Sequence, residues 1–257
     1  NAQAAQELQT LANNENLKIS VVEIDVNDDR SVETGVEQAA QLTGGRIDVL
    51  VNNAGIYVPL PIELMTPEAV YDTYNTNVLG CHRLARAVLP YMRERNDGLI
   101  IQISSGGGRL TFPLLGAYCS SKFTLESLSD AMRYELAPMG IDVVVIQPDD
   151  TKTEILNNGR RYVEEIMQSI ASDRDRLNAY QEHLKLMDYA LSAEDVPVAA
   201  EVIAGEVTKS ASTPKGQRPT RVCLSGQLVI DINNLMQNAQ KEVISGTPYA
   251  PWQQIKV

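Results

Sequence analysis

The sequence has 257 residues, of which 44% are hydrophobic and 21% charged, with a formal net charge of −11. This is typical of a globular protein, and it argues against a surface that tracks nucleic-acid phosphates and against a membrane span. Three widely spaced cysteines and two distant histidines predict free thiols in a reducing compartment, the cytoplasm, and no metal site.

The predicted elements alternate between strands and helices along the chain. Strands are expected at residues 18–24, 47–51, 99–103, 141–146 and 221–224. Helices are expected at residues 2–11, 28–42, 67–95, 117–136, 197–209 and 231–243, with a partly helical stretch at 154–192. This alternation predicts a doubly wound α/β fold with a parallel sheet.

The chain has no internal repeat and no low-complexity linker, which favours a single domain over residues 1–257. Within it, residues 154–192 are expected to form a lid on the substrate side. Residues 227–257 are expected to form a C-terminal helix and a proline-rich tail.

Ser105, Tyr118 and Lys122 form the most informative pattern in the sequence. In a helix from residue 117, Tyr118 and Lys122 lie one turn apart, so a cation would lower the tyrosine pKa from about 10 toward working pH. A phenol of that kind is a general acid or base, and Ser105 at a strand end can donate a hydrogen bond to the same oxygen. Tyr-x-x-x-Lys alone favours an exposed helical pair, and the upstream serine and the motifs below reverse that interpretation.

Two further motifs follow predicted strands, at the edge where open α/β sheets bind ligands. Asp25 and Val26 follow the first strand, where the alternative reading of Asp25 is a helix N-cap. Asn53, Ala54 and Gly55 follow the second, within Asn-Asn-Ala-Gly, where small residues would let a cofactor approach the backbone. A plain turn is the alternative there.

Asn77 falls inside the predicted helix 67–95, although asparagine has a poor helix propensity. It is either a surface polar residue or a placed side chain that holds a water or kinks the helix. The glycines at 106–108 follow a strand, but no Gly-Lys-Ser/Thr comes after them, which favours a flexible loop beside the active site.

Together, these motifs resemble the short-chain dehydrogenase/reductase family in their order and separation, from Asp25 to Thr153. The resemblance implies an NAD(P)-dependent oxidoreductase that interconverts a secondary alcohol and a ketone by hydride transfer. Tyr118 would be the acid/base and Ser105 would polarise the substrate oxygen. Lys122 would bind the nicotinamide ribose and lower the Tyr118 pKa, and Asn77 would hold a proton-relay water; the implied catalytic set is Asn77, Ser105, Tyr118 and Lys122.

The resemblance also implies a set of cofactor contacts: Asp25, Val26, Asn53, Ala54, Gly55, Tyr118, Lys122, Pro148 and Thr153. The residue that usually chooses between NAD and NADP would precede Asn1, so the sequence does not decide between them, and NADP is favoured here. The implied partners are a small-molecule carbonyl or alcohol, bulky or hydrophobic in character, and further copies of the chain. Helix surfaces at 67–95 and 117–136 would join these copies into a homodimer or homotetramer.

Two departures from the family pattern leave other functions open. Asp149 stands where the family usually has glycine, and a carboxylate beside a pyrophosphate is unfavourable unless it points away. The family's first strand, glycine-rich turn and second strand do not appear, so we expect about 40 residues, one βαβ half-unit, before Asn1. The alternatives are a cofactor-binding or scaffolding relative with little turnover, and a reductase-like part of a larger multifunctional chain.

Overall fold

The computed structural model describes residues 2–151, 153–191 and 199–245. Its strands are β1 (Val49–Asn52), β2 (Gly98–Ile103), β3 (Ile141–Pro148) and β4 (Arg221–Leu224). Its helices are α1 (Ala2–Asn14), α2 (Asp29–Leu42), α3 (Pro67–Tyr74), α4 (Cys81–Arg95), α5 (Gly116–Leu136), α6 (Ile155–Ser169), α7 (Arg174–Ala179), α8 (Gln181–Ala190), α9 (Ala200–Ser212) and α10 (Gln227–Ser245). A π-helical turn (Asn75–Gly80) joins α3 to α4.

The four strands form one parallel sheet in the order β1-β2-β3-β4. Val51 aligns with Ile101, and Ile101 aligns with Val144. Because every strand runs in the same direction, the loops that follow the strands meet at one edge of the sheet, which is where ligands bind in folds of this class.

Helices cover both faces of the sheet. On one face Ile100 and Val143 pack against Val36, Val88 and Met92 of α2 and α4. On the other face α9 packs against strand residues that alternate with those of the first face: Leu99, Ile101, Val144 and Ile146. Burial on both faces explains the near-continuous apolar runs of these strands, and it confirms the doubly wound parallel fold.

The prediction of a strand at residues 18–24 is wrong for this structure. The segment carries no strand pairing, because no strand within the described residues lies beside it. It packs against α2 instead, with Ile24 directly over Gly35. The outer edge at β1 is correspondingly exposed, since Val49 and Val51 are 36% and 38% accessible.

The predicted helix 67–95 begins as expected, with the Thr66 side chain accepting a hydrogen bond from the Ala69 N–H and proline at position 67. The π-helical turn at Asn75–Gly80 then interrupts it, which the sequence pattern did not predict. The last helix begins earlier than expected, and the 154–192 stretch contains α6, α7 and α8. Residues 192–198 and the tail 246–257 lie outside the described residues.

Candidate active site

Tyr118 and Ser105 meet above the carboxyl end of β2. Tyr118 lies in the first turn of α5, and the neighbouring Ser105 hydroxyl acts to lower the pKa of its phenol. The Gly107 N–H donates to Ser105 Oγ at 3.0 Å, which leaves the serine proton available to the tyrosine oxygen. A Cβ on Gly107 would lie 3.4 Å from both Ser105 Oγ and Tyr118 Cε1, so a side chain there would crowd the pair.

Lys122 lies one helical turn beyond Tyr118, as the spacing predicts. Its Nζ donates to the carbonyl of Ile103 at 2.9 Å and lies 5.8 Å from the centre of the Tyr118 ring. Burial lowers the pKa of Lys122, while Cys81 and Glu126 raise it. An ammonium has three donors, and within the described residues only the bond to Ile103 uses one, which leaves two for other partners.

The structure gives Tyr118 a pKa shift opposite to the expected one. Burial of the phenol raises its pKa from 10.0 to about 12, against the lowering effect of the Ser105 hydrogen bond. Nearby Cys119 and Asp150 raise it further. Desolvation outweighs the effect of Ser105 because the buried phenolate would lose its hydration.

Asn77 is fully buried in the π-helical turn, and it is therefore not a surface residue. Its Oδ1 accepts from the Ile56 N–H at 2.8 Å, and its Nδ2 donates to the Ile56 carbonyl at 3.0 Å. Nδ2 also donates to Ser121 Oγ at 3.0 Å. The side chain thus ties the segment after β1 to helix α5, and π-helical turns of this kind frequently occur at functional sites.

Gly55 brings the backbone after β1 close to this cluster. A Cβ at this position would lie 3.2 Å from Asn77 Oδ1 and 3.8 Å from Lys122 Nζ. The absence of a side chain therefore leaves a bare backbone surface beside two polar groups. Asn53 and Ala54, just before it, are exposed at the same edge of the sheet.

Asp25 and Val26 lie before α2 and against the π-helical turn. The Asp25 carboxylate is exposed and accepts from the Asn27 N–H at 2.9 Å, whereas Asp28, not Asp25, caps α2. Val26 packs on Gly80, where a Cβ would come within 2.9 Å of its side chain. These contacts fix the local backbone and leave the Asp25 side chain facing solvent.

The segment after β3 carries two adjacent carboxylates. Pro148 is buried at the strand end, while Asp149, Asp150 and Thr153 are exposed. The Asp149 side chain accepts from the Asp150 N–H at 3.0 Å, so it turns back on its own backbone. Desolvation by the surrounding protein raises the pKa of the Asp150 carboxyl, and the charge of Asp149 raises it further.

An apolar wall stands beside the Tyr118 ring. Tyr57 contacts the ring edge-on, with centroids 5.1 Å apart and planes at 75°. Buried Leu156 and Leu191 pack around Tyr57, and the half-buried residues of the wall are Leu115, Tyr118, Ile155 and Met187. Helices α6 and α8 therefore supply one side of the site.

Sequence reasoning missed two residues of the site region. The Ser121 hydroxyl accepts a hydrogen bond from Asn77 Nδ2 and donates one to the Tyr118 carbonyl at 2.7 Å. Glu126 is fully buried one turn after Lys122. Glu126 stands four residues after Lys122, a helical spacing that could have indicated its place near the site. The sequence alone, however, does not show that this face of α5 is buried.

No metal-binding group of three or more histidine, cysteine or acidic side chains occurs in the described part of the chain. Among the helices described, none combines the length and apolar character required to cross a bilayer.

Residues 1–163 match the sequence profile of the short chain dehydrogenase family. The chain is 37% identical over 171 residues to 3-ketodihydrosphingosine reductase of Bacteroides thetaiotaomicron, covering 66% of this chain and 61% of the relative. It is 39% identical over 149 residues to an uncharacterized oxidoreductase of Schizosaccharomyces pombe, covering 57% and 63%. Human 17-beta-hydroxysteroid dehydrogenase type 1 is 33% identical over 149 residues, covering 58% and 44%. The chain thus spans less than two thirds of the length of these curated relatives.

Solved structures show the same fold. Gluconate 5-dehydrogenase from Burkholderia cenocepacia, in complex with NADP and tartrate, superposes with a TM-score of 0.57 at 28% identity, over 60% of each chain. 3-Ketoacyl-(acyl-carrier-protein) reductase from Brucella melitensis, complexed with NADH, gives 0.52 at 31% identity, over 55% of this chain and 60% of the other. With a profile match over more than half its length and a parallel sheet that agrees with these structures, the chain belongs to the short chain dehydrogenase family of oxidoreductases.

Proposed function

We propose that the protein is an NAD(P)-dependent oxidoreductase that interconverts a secondary alcohol and a ketone, with Tyr118 as the acid/base. The observation that carries the proposal is that Ser105 and Tyr118 both lie against Gly107, with Lys122 one turn away and 5.8 Å from the Tyr118 ring centre. Ser105 polarises the substrate oxygen, and Tyr118 exchanges a proton with it. Asn77 is assigned the relay-water role, supported by its position beside Gly55 and Lys122.

The residues present fit a nicotinamide cofactor. The bare Gly55 backbone lies beside Lys122, whose two remaining donors suit ribose hydroxyls. Two buried polar atoms at this edge, Asn52 Oδ1 and Ser104 Oγ, have no partner within the described residues. Tyr118, Lys122 and Gly55 would hold the nicotinamide side, with further proposed contacts at Asp25, Val26, Asn53, Ala54, Pro148 and Thr153. The cofactor, when bound, supplies or accepts the hydride. NADP is proposed over NAD.

Tyr118 is protonated in this state of the site. With a pKa of about 12, the phenol holds its proton at neutral pH, as a general acid must. An ordinary tyrosine with a pKa of about 10 is protonated there as well, so the proposal covers both ketone reduction and alcohol oxidation.

The apolar wall around Tyr57 supports a bulky, apolar ketone. We propose residues 154–192 as a lid over this ketone. Two tyrosines of this segment hold it to the rest of the chain: Tyr180 donates its hydroxyl hydrogen to Glu63 at 2.8 Å, and the Tyr162 hydroxyl is bonded to Asp72. Two relatives are named for a 3-keto sphingoid base and for a hydroxysteroid, which agrees with an apolar substrate. A cytoplasmic location and a homodimer or homotetramer remain predictions.

The test is consumption of NADPH and NADH with 3-ketodihydrosphingosine, a 17-ketosteroid and dihydroxyacetone. We expect turnover of an apolar ketone by the wild-type protein, and loss of about three orders of magnitude in kcat in Tyr118→Phe. Tyr71→Phe, at a 60% exposed tyrosine of α3, is the matched control and keeps full activity.

The alternative function is cofactor binding with little turnover, favoured by the two carboxylates at Asp149 and Asp150. NADPH binding by fluorescence titration, combined with the turnover measurements on the ketone panel, separates the two candidates. Cofactor binding with no Tyr118-dependent turnover on the panel would establish the alternative.

A further inference from the structure

A buried ion cluster connects the Ser105 loop to helix α5 and to the C-terminal helix. Glu126 is 1% exposed and lies on the same face of α5 as Tyr118 and Lys122, at successive spacings of four residues. Its Oε2 forms an ion pair with Arg109 Nη2 at 3.0 Å and accepts a hydrogen bond from Arg221 Nε at 3.0 Å. The cluster is therefore anchored one turn below the proposed catalytic pair.

Arg109 is the member of the cluster that belongs to the Ser105 loop. It directly follows the short 3₁₀ turn Gly106–Gly108, and its side chain is 4% exposed. Besides Glu126, it donates from Nε to Asn233 Oδ1 at 2.8 Å and from Nη1 to Met236 Sδ at 3.3 Å, both on α10. The loop is held between α5 on one side and α10 on the other.

The loop backbone also rests directly on Glu126. A Cβ on Gly108 would lie 2.9 Å from Glu126 Cγ and 2.8 Å from Ser104 Oγ. The next glycine toward Ser105, Gly107, donates its N–H to Ser105 Oγ. A shift of the loop away from Glu126 therefore displaces the donor that orients the serine hydroxyl.

We infer that the Arg109–Glu126 ion pair is a positioning device that sets the position of Ser105 relative to Tyr118 and couples that position to the docking of α10. The inference deepens the proposed function, since Ser105 is the group through which the pair acts. A purely structural role, in which the cluster only stabilises the packing of α5, β4 and α10, is the competing explanation.

Arg221 provides a matched control for Arg109. Both guanidiniums are 4% exposed and bond the same Glu126 oxygen at 3.0 Å, but Arg221 comes from β4 and also bonds Asp130 at 2.6 Å. Arg221→Met thus removes at least as much ion pairing without touching the Ser105 loop. Arg109→Met removes the link to the loop and leaves Glu126 bonded to Arg221 and Gln147.

The experiment is a double-mutant cycle in the intact protein, using the apolar ketone of the panel that the wild type reduces fastest. We expect Arg109→Met to lower kcat at least about tenfold with little change in KM. The kcat of Arg221→Met is expected to stay within about threefold of the wild-type value, although its Tm falls as much as that of Arg109→Met. Ser105→Ala lowers kcat about 100-fold in the wild-type and Arg221→Met backgrounds, but no more than about tenfold in Arg109→Met. If Ser105→Ala lowered kcat by the same factor in the Arg109→Met background as in the wild-type background, the inference would be overturned.

Hydrogen exchange read by mass spectrometry tests the inference without any turnover. Peptides covering residues 104–112 lose protection in Arg109→Met and keep it in Arg221→Met. If Arg109→Met does not fold, Arg109→Lys, which keeps the charge and loses the fork geometry, takes its place in both measurements. A wild-type protein that reduces no ketone defeats the proposed function alone, and equal protection of the loop in both variants defeats the positioning role.

Discussion

Replacing Asn77 with alanine removes three hydrogen bonds from the centre of the site. Two of them pair both the N–H and the carbonyl of Ile56, at 2.8 and 3.0 Å, and the third reaches Ser121. Ser121 keeps a partner, because its hydroxyl also donates to the Tyr118 carbonyl. The variant therefore leaves two orphaned backbone groups, both on Ile56.

The expected cost follows from those two groups. A buried polar group that loses its partner costs about 1–3 kcal/mol. Ile56 is half-buried, so water reaches part of it, and the sum is expected near the lower end, about 2–3 kcal/mol. For a protein of this size this corresponds to a fall in Tm of roughly 5–10 °C.

Asn75→Ala is the matched control for this prediction. Asn75 lies in the same π-helical turn at 8% exposure, but its Oδ1 has no hydrogen-bond partner within the described residues. Its replacement is expected to cost less than about 1 kcal/mol. Urea unfolding followed by circular dichroism measures both variants. An Asn77→Ala protein as stable as Asn75→Ala would refute the reasoning.

Three further predictions concern stability. The pKa of Tyr118 is about 12 in the folded state, against 10.0 for an ordinary tyrosine. The wild type should therefore lose about 2–3 kcal/mol of unfolding free energy between about pH 10 and 12 relative to Tyr118→Phe. Parallel curves of unfolding free energy against pH for the two proteins would contradict this. Burial raises the pKa of Asp130, but neighbouring guanidiniums outweigh burial and lower it below 3.8, so its contribution is present above that pH and is lost on acidification. Asp130→Asn should therefore be less stable than wild type in urea at pH 7, by a margin that shrinks toward pH 2. Gly140→Ala places a Cβ 2.4 Å from the Asn96 carbonyl at a φ of +70°, and should lower Tm more than Gly45→Ala, which has a φ of +83° and open space.

The local parts of the site were predictable from the sequence. Tyr118 and Lys122 share a helix face because helical spacing is fixed by the backbone, and Ser105 comes just after a strand whose apolar run is unmistakable. The parallel sheet was predictable for the same reason, since strands and helices alternate along the chain. The strand predicted at 18–24 was wrong because a strand needs a hydrogen-bonded neighbour, and β-branched residues do not supply one.

The non-local parts were not predictable. The partner of Asn77 is Ile56, 21 residues away, and the cluster that holds Arg109 includes Asn233, 124 residues along the chain. The direction of the Tyr118 pKa shift also depends on how deeply the phenol is buried, which helical spacing does not report.

The sequence by itself determined the fold class, the order of the proposed catalytic motifs and the face of α5 on which Tyr118 and Lys122 lie, because each follows from backbone periodicity and short-range spacing. Only the tertiary structure decided which groups these side chains contact and what their surroundings do to them. Lys122 bonds the Ile103 carbonyl, burial raises the Tyr118 pKa, and Glu126 contacts residues from three separate parts of the chain. Desolvation and ion pairing arise from groups distant in sequence, so they come into existence only when the chain has folded.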